Sequence, residues 1–344
     1  MKCGIANIDP KIFAPLEKPP RFPPRNRSKN SSSQSAVQVF ASQQAAFKAY
    51  LARLSSIPQT QGRIVGGFEA PNGSASLCWQ ASIRVRSPNI DGGLCSGVII
   101  GAQTIVTAAH CVTIPESITV DGGYNASEVT WTVNIGTQAV SSAPNRTYFY
   151  SSVVENCSRE YAVKETFVHP EYNITTLNHD VAVLILSEPI DFRLHSACAC
   201  KMCLTQKVPQ PGDRCVASGF GMESIIDFNY TIPDPPRSYV PLKYVQQIIA
   251  PKEACLQIDP ESKTDTDFNI VICAGGVAGE GICFGDSGGP LTCYDHKTGT
   301  QYLGGIISAL DGCGFGYPSF FTAVAPNLAW IFNTAPLGDV SIMV

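Results

Sequence analysis

With 344 residues, 44% of them hydrophobic, the chain is long enough for two domains with substantial cores, and 15% charged residues is ordinary for a globular protein. A formal net charge of −4 argues against a nucleic-acid partner, which would want a basic face. Fourteen cysteines point to an oxidising compartment, as do Asn-x-Ser/Thr sequons, among them Asn30, Asn72, Asn125, Asn145, Asn156, Asn173 and Asn229.

Residues 1–10 contain no apolar run long enough for the core of a secretory leader, and no later window of ~20 apolar residues could span a membrane. A secreted protein whose true start lies upstream of Met1 reconciles this with the cysteines. Residues 11–36 are rich in proline, arginine and serine around Pro19-Pro20-Arg21-Phe22-Pro23-Pro24-Arg25, which favours an extended, solvated segment. Residues 37–54 could form one short helix. With Cys3 as its single cysteine, this region holds no separate disulfide-knit module. From residue 79 the chain reads as short β-rich runs punctuated by Gly, Pro and Asn: 80–85, 98–107, 128–135, 181–186, 215–218, 245–249, 291–293, 303–307 and 319–324. Such spacing predicts all-β barrels rather than βαβ units. Pro326 to Phe332 reads as a closing helix.

Three stretches carry chemistry. Gly281-Ile282-Cys283-Phe284-Gly285-Asp286-Ser287-Gly288-Gly289-Pro290 offers a hydroxyl in a turn kept clear by glycines, where the N–H groups of Gly285 and Ser287 can converge on one developing oxyanion. Taken alone it could equally be a glycine-rich surface turn, with Asp286 needing solvent or a cation. Thr107-Ala108-Ala109-His110-Cys111 follows one apolar run, and Asp180 opens another, Asp180-Val181-Ala182-Val183-Leu184-Ile185-Leu186. A histidine ending one strand and an aspartate beginning another can meet across a barrel interface and serve the serine as base and orienter.

These stretches, with Ile64-Val65-Gly66-Gly67 and Gly219-Phe220-Gly221, closely resemble the trypsin/chymotrypsin family of serine proteases over residues 64 to about 332. The resemblance implies two six-stranded antiparallel β-barrels meeting near residue 190, with a short C-terminal helix. It implies a secreted serine endopeptidase acting on proteins or peptides without a cofactor or metal, with Ser287 as nucleophile, His110 as general base and then acid, and Asp180 holding the imidazole tautomer. A non-catalytic, protease-like binding protein is the alternative, though its usual mark, a lost triad residue, is missing. Residues 1–63 are then a pro-segment and 64–344 the protease domain. Arg63-Ile64 looks like the activation bond: cleavage by a trypsin-like protease frees the Ile64 amino group, the cation that Asp286 lacks. Protein inhibitors are further expected partners.

The resemblance also pairs Cys95 with Cys111, Cys215 with Cys293, Cys255 with Cys273, and Cys283 with Cys313. Cys3, Cys78, Cys157, Cys198, Cys200 and Cys203 remain, with 15 connectivities open. Cys3–Cys203 is favoured because some relatives tether a propeptide at the latter position. Cys198, Cys200 and Cys203 could also be read as zinc thiolates, but no fourth ligand stands nearby. Among the histidines, His169, His179, His195 and His296 have no evident partner and no metal-ligand spacing. The long stretch between His110 and Asp180 reads as a glycosylated surface insertion near the cleft.

Alignment to the family places Gly281 at the base of the primary pocket, with Leu310 and Ser319 on its walls. A floor without a carboxylate should reject Arg and Lys, and Leu310 should crowd large aromatic side chains, which leaves small aliphatic residues and an elastase-like preference. Ala309 stands where the family usually has tryptophan, so the neighbouring subsite should be wide. Asp311 could reach a basic group from the rim.

Overall fold

The computed structural model describes Cys3, Phe13 and residues 64–70, 77–86, 91–113, 129–142, 148–151, 157–221, 240–256, 266–309, 313–314 and 316–343. The proline-rich stretch, the helix expected over 37–54, Arg63, Leu310, Asp311 and all the sequons except Asn173 lie outside them.

The strands are β1 (Phe68–Glu69), β2 (Gln80–Arg86), β3 (Asp91–Ile99), β4 (Thr104–Thr107), β5 (Thr130–Ile135), β6 (Ala139–Ser142), β7 (Tyr148–Ser151), β8 (Arg159–Val168), β9 (Ala182–Leu186), β10 (Arg214–Gly219), β11 (Val240–Pro241), β12 (Lys243–Ile248), β13 (Val271–Gly275), β14 (Pro290–Asp295), β15 (Thr300–Ala309) and β16 (Pro318–Ala323). Among the described residues two α-helices join them, α1 (Lys252–Leu256) and α2 (Val324–Thr334).

Strands β2-β3-β4-β9-β8-β5 close into an antiparallel barrel. The second half is a seven-stranded antiparallel sheet in the order β1-β12-β10-β14-β15-β16-β13. It is closed only by an isolated bridge between Ile249 and Ala274, at the ends of β12 and β13. The insertion between His110 and Asp180 supplies a hairpin, β6-β7, that pairs with β11 from the second half.

Strand β9 shows why the two halves stay together. The strand and the preceding Val181 are wholly buried because side chains alternate between two faces and both faces are covered. Ala182, Leu184 and Leu186 fill the first barrel with Ile83, Ile105 and Ile135. Val181, Val183 and Ile185 point the other way, into a core shared with Val216 and Ile306 of the second sheet and with Val324, Leu328 and Ile331 of α2. A third core, with Val245, Ile272, Leu291 and Phe321, fills the second half.

All 14 cysteines are joined in seven disulfides. The bridges are Cys3–Cys203, Cys78–Cys200, Cys95–Cys111, Cys157–Cys198, Cys215–Cys293, Cys255–Cys273 and Cys283–Cys313. Three of them converge on residues 198–203, where the chain passes between the two halves. No thiolate remains there for a metal.

Two described residues of the N-terminal segment belong to the body of the protein. Cys3 is bonded to Cys203, and Phe13 is buried in the shared core, stacked on Tyr294 at 5.5 Å, with its carbonyl accepting from His296 Nε2 at 3.2 Å. The C-terminal residues also return to the first barrel. Asp339 accepts hydrogen bonds from Ala102 N, Gln103 N and Thr104 Oγ1 in the β3–β4 turn, at 2.6, 2.9 and 2.6 Å. No helix among the described residues is long and apolar enough to cross a membrane.

Candidate active site

Strand β4 ends at Thr107, and a 3-10 turn over Ala109–Cys111 lifts His110 out of the first barrel beside the start of β9. Asp180, two residues before β9, is fully buried. Its Oδ1 accepts the His110 backbone N–H at 2.9 Å, and its Oδ2 accepts the His110 Nδ1–H at 2.7 Å and the Ser308 hydroxyl at 2.6 Å. Thr322 of β16 donates to the Asp180 carbonyl at 3.0 Å. Ser308 and Thr322 come from the second sheet, so both halves of the protein hold this one aspartate. An acceptor-only carboxylate facing Nδ1 keeps the proton on that nitrogen and leaves Nε2 with its lone pair.

Ser287 lies on the turn before β14. The turn is pressed against the end of β4: the Ser287 carbonyl accepts Ser96 N–H at 2.7 Å, and a Cβ at Gly288 would fall 2.1 Å from Thr107 Oγ1 and 2.3 Å from the Ser96 carbonyl. Only glycine permits that approach, and it sets Ser287 three residues of chain from His110 on the facing strand. No hydrogen bond joins Ser287 to His110 among the described residues, and such bonds commonly tighten only when substrate is present. The N–H groups of Gly285 and Ser287 have no protein acceptor among the described residues, as an oxyanion site requires.

Asp286, between them, is fully buried. It accepts from Gly221 N at 2.8 Å and Cys283 N at 2.8 Å, and no cation faces it among the described residues. Burial pushes its carboxyl up to about 7 against the opposing pull of those two hydrogen bonds. The Gly219-Phe220-Gly221 segment is glycine on both sides because a Cβ at Gly219 would fall 2.1 Å from Asp286 Oδ1 and one at Gly221 would fall 2.6 Å from Asp286 Cγ. Ile64 is buried in the core of the second half, and Val65 bridges to Gly281, whose N–H donates to the Val65 carbonyl at 3.0 Å. The segment that begins at Ile64 is thus docked beside the turn that carries Asp286.

At the expected pocket, a Cβ added at Gly281 would make an ordinary contact with Gly314 N at 3.7 Å. Ser319 is buried on β16, opposite Ala274 of β13. Ala309, with Leu177, Ser308 and Phe320, lines a cavity of about 40 Å³ beside Asp180.

Sequence reasoning found no partners for four histidines. The structure stacks His169 on His179 at 4.3 Å, sets His179 Nε2 3.2 Å from Glu171 Oε2, and buries His195 near the Cys157–Cys198 bridge. Ser308 and Thr322 also escaped it, because only the folded sheet brings them to Asp180.

An aspartate-held imidazole at the seam of two antiparallel β-halves, facing a serine turn with free amide donors, belongs to the class of serine proteases. The chain belongs to the trypsin family, whose model matches residues 64–331. It is 30% identical over 287 residues to melanization protease 1 of Drosophila melanogaster, covering 79% of this chain and 65% of that one. It is 28% identical over 289 residues to transmembrane protease serine 9 of Rattus norvegicus, covering 83% of this chain but 23% of the relative. Epidermal growth factor-binding protein type B of Mus musculus is 28% identical over 297 residues, with 83% and 94% covered. The chain therefore spans less than two thirds of the length of the first two.

Proposed function

We propose that the protein is a secreted serine endopeptidase made as a zymogen and activated by cleavage after Arg63. The observation that carries the reading is the Asp180–His110 pair, whose three donors to one buried carboxylate fix the imidazole with Nε2 free to take a proton. In the reaction, Ser287 Oγ attacks the substrate carbonyl as His110 Nε2 takes its proton. The N–H groups of Gly285 and Ser287 receive the oxyanion, and the imidazolium returns the proton to the leaving amine, giving an acyl-enzyme that water hydrolyses by the same steps. The new Ile64 ammonium pairs with Asp286 and steadies the Gly285 donor. Full pairing of the cysteines supports an oxidising, extracellular home.

Glycine in place of a carboxylate at position 281 supports acceptance of small aliphatic side chains and rejection of basic ones, which lack a buried counter-charge. Such an enzyme cannot efficiently cut after its own Arg63, so a separate trypsin-like activator supplies the active form. One experiment addresses chemistry and preference together. Protein cleaved after Arg63 is treated with peptidyl phosphonates bearing Val, Phe or Arg at the first position, and adducts are located by mass spectrometry. The expected result is a single Ser287 adduct, formed fastest with the Val probe, and a gain on the Phe probe in Leu310→Gly. No adduct would refute the enzyme; fastest reaction with the Arg probe would refute the pocket.

A further inference from the structure

Outside the triad, one cluster of donor atoms has no role in the proposed chemistry: His169 and Glu171, just after β8, and His179, one residue before Asp180. Their candidate ligand atoms all lie within 4.8 Å of one another. Asn327 of α2 fixes the tautomer of His179. The Asn327 amide donates its Nδ2–H to the Ala323 carbonyl at 2.7 Å, so its oxygen faces His179 and accepts Nδ1–H at 2.7 Å. His179 Nε2 therefore faces Glu171 Oε2, 3.2 Å away, and in the neutral ring this nitrogen carries the lone pair. A nitrogen and a carboxylate at that separation suit a shared positive charge, either a proton on the ring or a metal ion in its place.

We propose that His169, Glu171 and His179 form a binding site for a divalent transition metal of zinc's class. A spacing of 3.2 Å matches one edge of a tetrahedron with metal–ligand bonds of about 2.0–2.1 Å. Imidazole with carboxylate is a donor set that suits zinc, and the Asn327 contact is the outer-shell hydrogen bond that a metal-ligating histidine ordinarily makes through its other nitrogen. His169 supplies the third donor. Its Nδ1 now accepts the Glu171 N–H in a long contact of 3.2 Å, and its ring leaves the stack on His179 to reach the ion. Solvent completes the shell, since the Glu171 side chain is 73% exposed. His179 and Asp180 share a tight turn in which Val181 N donates to the His179 carbonyl at 2.7 Å. An ion that draws the His179 ring outward therefore disturbs the carboxylate that orients His110, and metal binding inhibits. That second consequence rests on the proposed protease function; the binding itself does not.

The test titrates zinc into full-length Ser287→Ala protein by calorimetry, so that binding is read without activity. A single saturable equivalent is expected, weakened at least about tenfold by Glu171→Gln or by His179→Asn, and unchanged when His110→Ala is added. Cobalt in place of zinc should give the visible absorption of a four-coordinate site. No saturable binding, or binding that survives Glu171→Gln and vanishes with His110→Ala, overturns the site. Should His179→Asn fail to fold, Glu171→Gln still decides, because its exposed side chain supports no packing. In the cleaved wild type, activity should fall along the same zinc curve and Glu171→Gln should shift it. Full activity at saturating zinc would overturn the coupling to Asp180.

Discussion

Asp180 and Asp286 are both fully buried, yet they are held in opposite ways. Asp180 is met by an imidazole N–H, a backbone N–H and a hydroxyl, drawn from both halves of the protein. Asp286 has two backbone N–H groups and no cation among the described residues, and its carboxyl is driven up toward neutrality. Burial sets the cost of a charge, and the partners decide whether the group meets that cost as an ion or avoids it by keeping a proton. The first carboxylate is complete in the chain as synthesised. The second has two amide donors and no counter-charge among the described residues, and the proposed Ile64 amino terminus would supply one.

The largest test of that contrast is Asp180→Asn. An amide there can present its NH₂ toward His110, favouring the wrong tautomer, and kcat/KM of the cleaved protein should fall about 10⁴-fold at neutral pH. A loss under about tenfold would remove the distinction between the two sites.

Ser308→Ala is a gentler cut at the same carboxylate. It removes one of the two hydrogen bonds to Oδ2 while the imidazole stays, so kcat/KM should drop about tenfold, the worth of one hydrogen bond to a charged group. An unchanged rate would show that the hydroxyl serves packing alone.

For Asp286 the reading is stability against pH. Its folded value of about 7 lies above an unfolded carboxylate's ~3.9, so the folded state binds more protons between those limits. Its contribution in uncleaved protein is then fully present below pH ~4 and is lost as pH rises through 7, by up to about 4 kcal/mol. After cleavage, the Ile64 ammonium should hold the ionised carboxylate and flatten that decline. Urea unfolding of both forms from pH 4 to 8 compares the slopes. Equal slopes would mean that cleavage brings Asp286 no cation.

Much of the fold was legible because its strands are buried on one or both faces. The run 181–186 announces β9 by unbroken apolar character, while the run 98–107 splits at Gly101 into β3 and β4, a turn that hydrophobicity alone does not mark. Strand β8 went unseen: along Arg159–Val168 only Tyr161 is buried, so neither alternation nor an apolar run signals it. The site divided similarly. His110, Asp180 and the serine turn sit in local motifs that can be read along the chain. Ser308, Thr322 and the His169–His179 stack depend on contacts made only by folding, across 128, 142 and ten residues of chain.

Asp339 brings a matter of timing. The turn that joins β3 to β4 forms early in the sequence, yet the carboxylate that accepts its Ala102 and Gln103 amides stands 237 and 236 residues later, beyond α2. A chain leaves the ribosome from its N-terminus, so the first barrel emerges with that corner unsealed until the 236 residues after Gln103 have also been made. The barrel that carries His110 therefore reaches its native hydrogen bonding only after the second sheet and α2 have been made, which couples the order of synthesis to the order in which the two halves mature.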